Sequence, residues 1–201
     1  MTVKPAEEWG TPFRRPTDAP VAADDAQLAH LAAGSDRGSG CEFVIGVNAG
    51  DVLKTLGVPP GRTAGEQFRY PFDLAWAILD DSDPVPFVAH LLAHRRGWGG
   101  EFAVVMNVGW WGSWYLGPKA HPNDGLLDVT AGRLSWQQRY LARQRVGRGT
   151  HLPHPALRTL RRDRWRHDLG RPTAVFLDGR FQGRARHLEV SVEPDRFSLV
   201  V

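Results

Sequence analysis

Cysteine is nearly absent from this chain of 201 residues, which contains Cys41 alone. A single cysteine excludes an internal disulfide framework and provides no cysteine-based metal-ligand spacing. No apolar run approaches the roughly 18 residues that a membrane-spanning helix needs. Residues 1–10 are charged and lack the apolar run of a secretory signal peptide. We therefore expect a cytoplasmic protein, whose contact with a membrane would be peripheral and on its inner face.

Arginine, in contrast, is abundant in one segment. Between Arg133 and Arg171 there are eleven arginines and two acidic residues, and Trp165 lies among them. Such a segment is suited to phosphate headgroups, an anionic membrane surface or nucleic acid. The alternative is a solvated arginine-rich surface of the kind that a high-GC genome encodes. A lipid headgroup or an anionic membrane is the partner we expect, nucleic acid is not expected, and homo-oligomerisation is left open.

The first third of the chain predicts a small α/β fragment. Residues 1–22 are rich in proline and alanine and indicate an extended arm. Acidic residues at 24 and 25 are typical of a helix start, and Gly34 is typical of its end. A loop over 34–40, a strand over 42–47 and a helix over 48–56 follow. This helix–strand–helix unit is far too small to be a whole nucleotide-binding domain.

From residue 67 onward the patterns are those of short strands separated by turns. The predicted strands are 67–72, 74–80, 85–94, 101–109, 113–117, 126–133, 157–161, 164–169, 173–178, 185–193 and 197–201. One helix interrupts them, beginning at a capping box of Ser135 and Gln138. Many short strands indicate a sandwich. We predict an α+β, mainly β fold: an antiparallel β-sandwich over 67–201, preceded by an N-terminal arm and reduced α/β fragment over 1–66.

Three segments carry the motifs that suggest a function. They read NAGDVLKTLG at 48–57, AHPNDGLLDV at 120–129 and VFLDG at 175–179. In this order they resemble the "GTGNDFARTLG", "PDDGLLDV" and "LDGE" motifs of the diacylglycerol kinase and bacterial lipid kinase family, which is related to NAD kinase and the sphingosine kinases. The resemblance covers about residues 41–201. It implies two domains with an active site in the cleft between them, where ATP and Mg²⁺ serve phosphoryl transfer to a lipid hydroxyl.

The resemblance implies that Asp178 is the catalytic base, as part of an acidic cluster that takes the proton from the lipid hydroxyl. Arg180 stands where the family has glutamate. A guanidinium stays protonated and cannot accept a proton at neutral pH. We also expect its charge to lower the pKa of Asp178 and so to weaken it as a base. The alternative interpretation is an ordinary hairpin turn without chemistry.

A structural magnesium site is implied at Asp124, with backbone oxygens of His121 and Leu126 as further ligands. One carboxylate and two carbonyl groups are ligands that a hard cation prefers. The alternative is again a hairpin turn, without an ion, because aspartate before glycine is common in turns. Asp128 is predicted to be a hydrogen-bonding residue at a strand edge.

The remaining family positions are altered. Asn48 and Gly50 replace the threonine and asparagine of "GTGND", whereas Asp51 keeps the aspartate and is expected in the first turn of a helix. The aromatic residues Trp110, Trp111 and Trp114 surround a glycine turn where the family has "PYFGGG" beside its cleft. They predict either core packing or an apolar rim suited to an acyl chain or a partner protein.

The family's "GGDGT" phosphate loop is missing. The nearest positional candidate is Glu7–Thr11, where two glutamates and a tryptophan would repel and obstruct phosphate groups. We therefore predict a lipid-kinase-like protein that is weak or inactive as a kinase. The alternatives are an active ATP-dependent lipid kinase and a non-catalytic module that binds a lipid or a partner, so that the sequence leaves enzymatic activity open.

Overall fold

The computed structural model describes residues 9–35, 43–59 and 66–201. Glu7, Glu8, Cys41 and most of the predicted loop over 34–40 lie outside these residues. The strands are β1 Thr11–Pro12, β2 Val21–Ala22, β3 Val44–Val47, β4 Phe68–Leu79, β5 Val85–Phe87, β6 His90–Ala93, β7 Glu101–Met106, β8 Trp110–Trp111, β9 Trp114–Tyr115, β10 Leu127–Arg133, β11 Leu157–Arg162, β12 Arg164–Leu177 and β13 Arg180–Val200. The helices are α1 Asp25–Gly34, α2 Asp51–Leu56 and α3 Trp136–Val146, with a short 3₁₀ turn at Arg96–Trp98.

The predicted fold class is confirmed: the chain is α+β and mainly antiparallel sheet. The strand order along the main path is β1-β4-β13-β12-β6-β7-β10-β11. The small fragment joins this sheet because β3 pairs in parallel with the end of β13, and β2 pairs with β3. Among the described residues, no helix is long and apolar enough to cross a membrane.

Alternating burial explains why these segments are strands. Along β13, Leu188 and Val190 are buried whereas His187 is exposed, as a strand with one buried face requires. Apolar side chains of β4, β6, β7, β10, β12 and β13 form one buried cluster against the sheet. The opposite face of β6 and β7 is covered by α3 and the β8–β9 hairpin. A third apolar cluster packs α1 and β3 on the ends of β4 and β13.

Several predicted boundaries differ from the structure for identifiable reasons. The predicted strands 67–72 and 74–80 are one strand, since the buried Asp73 continues β4. The predicted strands 164–169 and 173–178 are joined through an irregularity in β12. The strand predicted at 85–94 breaks into β5 and β6. The helix predicted over 48–56 begins at Asp51, because Gly50 has a φ of 135°, which is not helical.

Candidate functional site

Asp178 lies in a tight turn between β12 and β13. Leu177 and Arg180 pair across the hairpin, and the two residues between them, Asp178 and Gly179, have φ angles of 47° and 77°. Positive φ at both central residues is typical of the turn whose twist matches a two-residue hairpin, and aspartate followed by glycine is favoured there. The hairpin turn expected at this motif is therefore confirmed.

The Asp178 carboxyl group is also a hydrogen-bond hub. Its Oδ2 accepts from the amide of Val88, and its Oδ1 accepts from the amides of Ala89 and His90, each at 2.9 Å. Burial raises the pKa of Asp178, against the influence of the His90 charge and these amides. The three amides lie where β5 ends and β6 begins. The Asp178 carboxyl group thus accepts hydrogen bonds from three amides at the junction of the two strands.

Arg180 does not act on Asp178 as the sequence predicted. Its guanidinium donates to Asp24, with Nη2 and Oδ2 2.6 Å apart, on the surface at the start of α1. The pKa of Asp24 is lowered, by the hydrogen bond from the Gln27 amide and then by Arg180. The expectation that Arg180 lowers the pKa of Asp178 was wrong. Burial of the Asp178 carboxyl group raises its pKa, and the Arg180 guanidinium forms its ion pair with Asp24 instead.

His90 stands at the centre of a buried acidic cluster. Its Nε2 lies 3.1 Å from Oδ2 of Asp51, and the residue is 2% exposed. Burial opposes the charged imidazole, but the bond with Asp51 and the charges of Asp178, Asp51 and Asp25 outweigh it, so that the pKa of His90 is raised. We name these four residues, Asp25, Asp51, His90 and Asp178, the carboxylate–histidine cluster.

Asp25 contributes a buried carboxyl group from the first turn of α1. Its Oδ2 accepts from the Asp51 amide at 2.6 Å, whereas its buried Oδ1 has no hydrogen-bond partner in the described part of the chain. Burial, and then the charge of Asp178, raise the pKa of Asp25 to about 7. A Cβ at Gly50 would lie 1.9 Å from this Oδ1. The glycine that replaces the family's asparagine therefore makes room for Asp25. Asn48 lies exposed at the end of β3, outside the cluster.

The β8–β9 hairpin connects the cluster to an aromatic group. The Gly112 amide donates to Asp51 Oδ1 at 2.9 Å, and Lys54 Nζ lies 4.2 Å from the centre of the Trp110 ring. Trp111 and Trp114 pack on the other side, against the apolar cluster beneath α3. The three predicted aromatic residues are therefore divided, with Trp110 beside the cluster and the other two away from it.

An apolar cavity of about 320 Å³ opens beneath α3. The aromatic and aliphatic side chains that line it are Trp98, Phe102, Val104, Trp114, Leu116, Leu134, Trp136, Tyr140, Ala142 and Val146. Trp136 and Tyr140 are 71% and 62% exposed. Arg143 lies over the Trp114 ring, 5.8 Å from its centre. The cavity has the size and the mostly apolar lining of a small-molecule site.

In the turn that contains Asp124, the Asp124 carboxyl group forms an ion pair with Arg161. Asp124 Oδ1 accepts from the Leu126 amide at 3.0 Å, and its Oδ2 pairs with Arg161 Nη2. Arg161 Nε also donates to Asp128 Oδ1 at 2.8 Å, as the strand-edge role predicted for Asp128 requires. The His121 ring packs on Trp9, with centroids 4.7 Å apart.

These contacts do not fit the magnesium ion implied at Asp124, His121 and Leu126. A hard cation needs oxygen lone pairs, but both Asp124 oxygens already accept, one of them from a cation. In the described ranges, no group of three or more histidine, cysteine, aspartate or glutamate side chains is arranged to hold a metal. The Arg161 guanidinium supplies the positive charge at this turn.

We predict that Arg161→Leu lowers the free energy of unfolding by about 2–3 kcal/mol at pH 7, because Asp124 and Asp128 then remain partly buried without a counter-charge. Arg162→Leu, an exposed neighbour in the same strand, should change it by less than about 0.5 kcal/mol. Urea unfolding followed by circular dichroism measures both. Millimolar Mg²⁺ should leave the wild-type melting temperature unchanged, and an Mg²⁺-dependent rise would contradict this assignment.

The described part of the Glu7–Thr11 segment is packed as a strand edge. Trp9 lies against Tyr70, with ring centroids 5.1 Å apart, and Thr11 pairs with Arg69 in β4. A Cβ at Gly10 would lie 2.5 Å from the Tyr70 ring. A phosphate loop needs amides that converge on an open anion site, so Trp9, Gly10 and Thr11 do not fit the phosphates of a nucleotide.

Sequence reasoning missed three residues: Asp25, His90 and Asp73. Asp73 is fully buried and accepts from the amides of Gly125 and Asp195 at 2.8 and 2.9 Å. Burial raises its pKa to about 6. A charged or titratable residue inside an apolar strand pattern could have indicated Asp73 and, in part, His90. No local signal distinguishes Asp25 from any acidic residue at a helix start.

Comparison with known proteins places the sandwich in a family. Residues 60–201 match the YegS C-terminal NAD kinase beta sandwich-like domain. A solved structure from Bacillus anthracis str. Sterne, assigned as a diacylglycerol kinase, superposes with a TM-score of 0.63 at 12% identity, covering 90% of this chain and 77% of the other. A second, described as a diacylglycerol kinase from the same organism, gives 0.57 at 13%, covering 78% and 66%. Such identities show a shared fold alone. No curated protein matches.

Proposed function

Because the chain belongs to the YegS C-terminal NAD kinase beta sandwich-like domain family, we propose that it is a lipid-kinase-like protein that binds a lipid and transfers phosphate weakly or not at all. Solved relatives are described as diacylglycerol kinases, which supports a lipid alcohol as the ligand class. The proposal has two parts, the loss of phosphoryl transfer and the retention of lipid binding.

One observation carries the first part: the family-motif carboxylates are engaged within the protein. Asp178 accepts three backbone amides, and Asp51 accepts from Gly112 and lies against His90. A general base must reach the proton that it abstracts with a free lone pair. A carboxyl group that anchors the β5–β6 connection is a positioning group rather than a base.

ATP and Mg²⁺ are plausible ligands by family resemblance, but the contacts described above disfavour them. Trp9–Thr11 form a packed edge in place of an anion site, and Arg161 occupies the Asp124 carboxyl group. Phosphoryl transfer depends on positioning the donor and on neutralising its charge. We therefore expect Mg–ATP to bind weakly or not at all.

The apolar cavity supports the second part. Its aromatic lining is suited to an acyl chain, and the exposed Trp136 and Tyr140 are the residue types enriched where protein meets the bilayer interface. The exposed Arg143 and Arg145 of α3 would favour an anionic surface. Peripheral binding to the inner face of a membrane is part of this proposal.

The test is transfer of phosphate from Mg–ATP to diacylglycerol in mixed micelles, measured as labelled phosphatidic acid. We expect wild-type turnover no higher than that of Asp178→Asn, which keeps the turn and most of its hydrogen bonds. Arg180→Glu should not restore activity, because general-base catalysis contributes roughly 10²–10⁴-fold and cannot replace donor positioning. Wild-type turnover that disappears in Asp178→Asn would show a working kinase.

A second candidate, the active kinase, is favoured by one observation. Asp25 has a pKa of about 7 and an unpaired Oδ1, and a base with a pKa near the operating pH is well matched to proton abstraction. The same assay decides it with Asp25→Asn. Activity that is present in the wild type and in Asp178→Asn but lost in Asp25→Asn would assign the base to Asp25.

A further inference from the structure

A second cavity, of about 330 Å³, is lined by three arginines and is separate from the carboxylate–histidine cluster. It opens between the start of β7, the end of β10 and the irregular part of β12. The arginines are Arg95, Arg133 and Arg171, and Glu101 is the acidic residue among the lining side chains. We call it the arginine cavity.

Strand register brings these residues together. Arg133 lies opposite Glu101 in the β10–β7 pair. Arg171 lies in the irregular part of β12, next to Gly170, whose φ of 70° turns the chain. Arg95 precedes the 3₁₀ turn, and its side chain lies over Gly100, with Cδ 3.8 Å from where a Cβ would be. The fold thus gathers three cations that are distant in sequence.

The charge of this cavity is not compensated from within the described chain. Glu101 Oε1 is directed to His167 Nε2 at 3.5 Å. In the ranges 9–35, 43–59 and 66–201, none of the three arginines forms an ion pair with an acidic side chain. All three are exposed. Three guanidinium groups around one concavity repel one another unless an anion joins them.

We propose that the arginine cavity binds a phosphate monoester, carried either by a lipid headgroup or by a soluble ester. Guanidinium groups form paired, charge-assisted hydrogen bonds with phosphate oxygens. The 95–100 turn separates this cavity from the apolar cavity: Arg95 and Gly100 line one side, and Gly97 and Trp98 line the other. An acyl chain and a phosphate headgroup would therefore bind on neighbouring faces of one turn. The lipid arm rests on the proposed function, whereas phosphate binding does not.

The experiment compares two charge-matched double variants of the full chain. Arg133→Gln with Arg171→Gln removes two cations from the cavity, and Arg14→Gln with Arg184→Gln removes two exposed cations that line neither cavity. The probes are glycerol 3-phosphate, by calorimetry, and phosphatidylcholine vesicles with or without phosphatidic acid, by sedimentation. Circular dichroism checks that both variants fold.

We expect the cavity variant to bind at least about tenfold more weakly, as the loss of a charge-assisted hydrogen bond implies, and the control to stay within about twofold. Loss of binding to both probes, or to phosphatidic acid vesicles alone, supports the cavity and identifies the source. Equal losses in both variants, or no wild-type binding to either probe, would overturn it. A wild type that binds glycerol 3-phosphate but neither kind of vesicle would retain this site and refute the lipid-binding function.

Discussion

Asp25→Asn should stabilise the protein at pH 8 by on the order of 3–4 kcal/mol. The carboxyl group has its pKa raised from 3.8 to about 7 in the folded protein, and each pKa unit corresponds to about 1.4 kcal/mol. The cause is burial, followed by the charge of Asp178. Asparagine retains an oxygen that accepts from the Asp51 amide but carries no charge, so that the variant avoids the cost of ionising this site.

The sign follows from which state holds the proton more tightly. Between about pH 4 and pH 7 the folded protein binds the Asp25 proton and the unfolded chain does not, so this stabilisation is lost as pH rises. His90 adds to the same trend, because its raised folded pKa stabilises the protein below 6.5 and ceases to do so as pH rises through the folded value. Wild-type stability should therefore fall from pH 5 to pH 8.

Urea unfolding at pH 5, 6, 7 and 8 measures this dependence. The fall should be shallower in Asp25→Asn, in which the raised pKa values of Asp73 and His90 still contribute. It should be unchanged in Asp83→Asn, an exposed control on the β4–β5 connection. Equal slopes in the wild type and in Asp25→Asn would show that Asp25 is ionised throughout and would contradict its raised pKa.

Asp178→Ala should lower the free energy of unfolding by about 3–6 kcal/mol. Three amides, those of Val88, Ala89 and His90, would lose their acceptor, and each unsatisfied buried group costs about 1–3 kcal/mol. Such a loss is a large part of the roughly 5–15 kcal/mol that stabilises a typical protein. Asp178→Asn, which keeps one oxygen and tolerates positive φ, should lose about 1–2 kcal/mol.

A glycine variant separates the loss of the hydrogen-bond acceptor from the backbone strain that alanine introduces. Asp178 has a φ of 47°, so alanine also brings backbone strain of about 1–2 kcal/mol. Asp178→Gly removes the carboxyl group without that strain and should still lose most of the stability. Thermal and urea unfolding of the alanine, asparagine and glycine variants measure this order. A glycine variant as stable as the wild type would mean that the residue serves the turn alone.

Local patterns were sufficient for the parts of the fold that depend on neighbouring residues. The capping box of Ser135 and Gln138 is present because its partners are three positions apart. The hairpin at Asp178 and Gly179 follows from the backbone freedom of those two residues. Burial alternates along β13 as the sequence indicates. In each case the physical cause lies within a few residues of the effect.

The contacts of the site depend on which distant strands and helices lie next to each other, and this cannot be read from a single sequence. Arg161 pairs with Asp128 because β10 and β11 place the two residues directly opposite each other. Arg180 finds Asp24, which belongs to a helix near the other end of the chain. His90 meets Asp51 although 39 residues separate them along the chain. The position of Arg180 next to Asp178 in the sequence therefore did not predict that it pairs with Asp24.

The length of β13 has a consequence for the order in which the molecule assembles. This strand, Arg180–Val200, pairs along its length with β12 and β4, and its last residues pair with β3, as Ser198 does with Val44. Contacts between such distant positions require large loops to close first, which slows folding. During synthesis β4 has no long partner until β13 leaves the ribosome. Its apolar edge is exposed for that interval, when intermediates are most prone to aggregate.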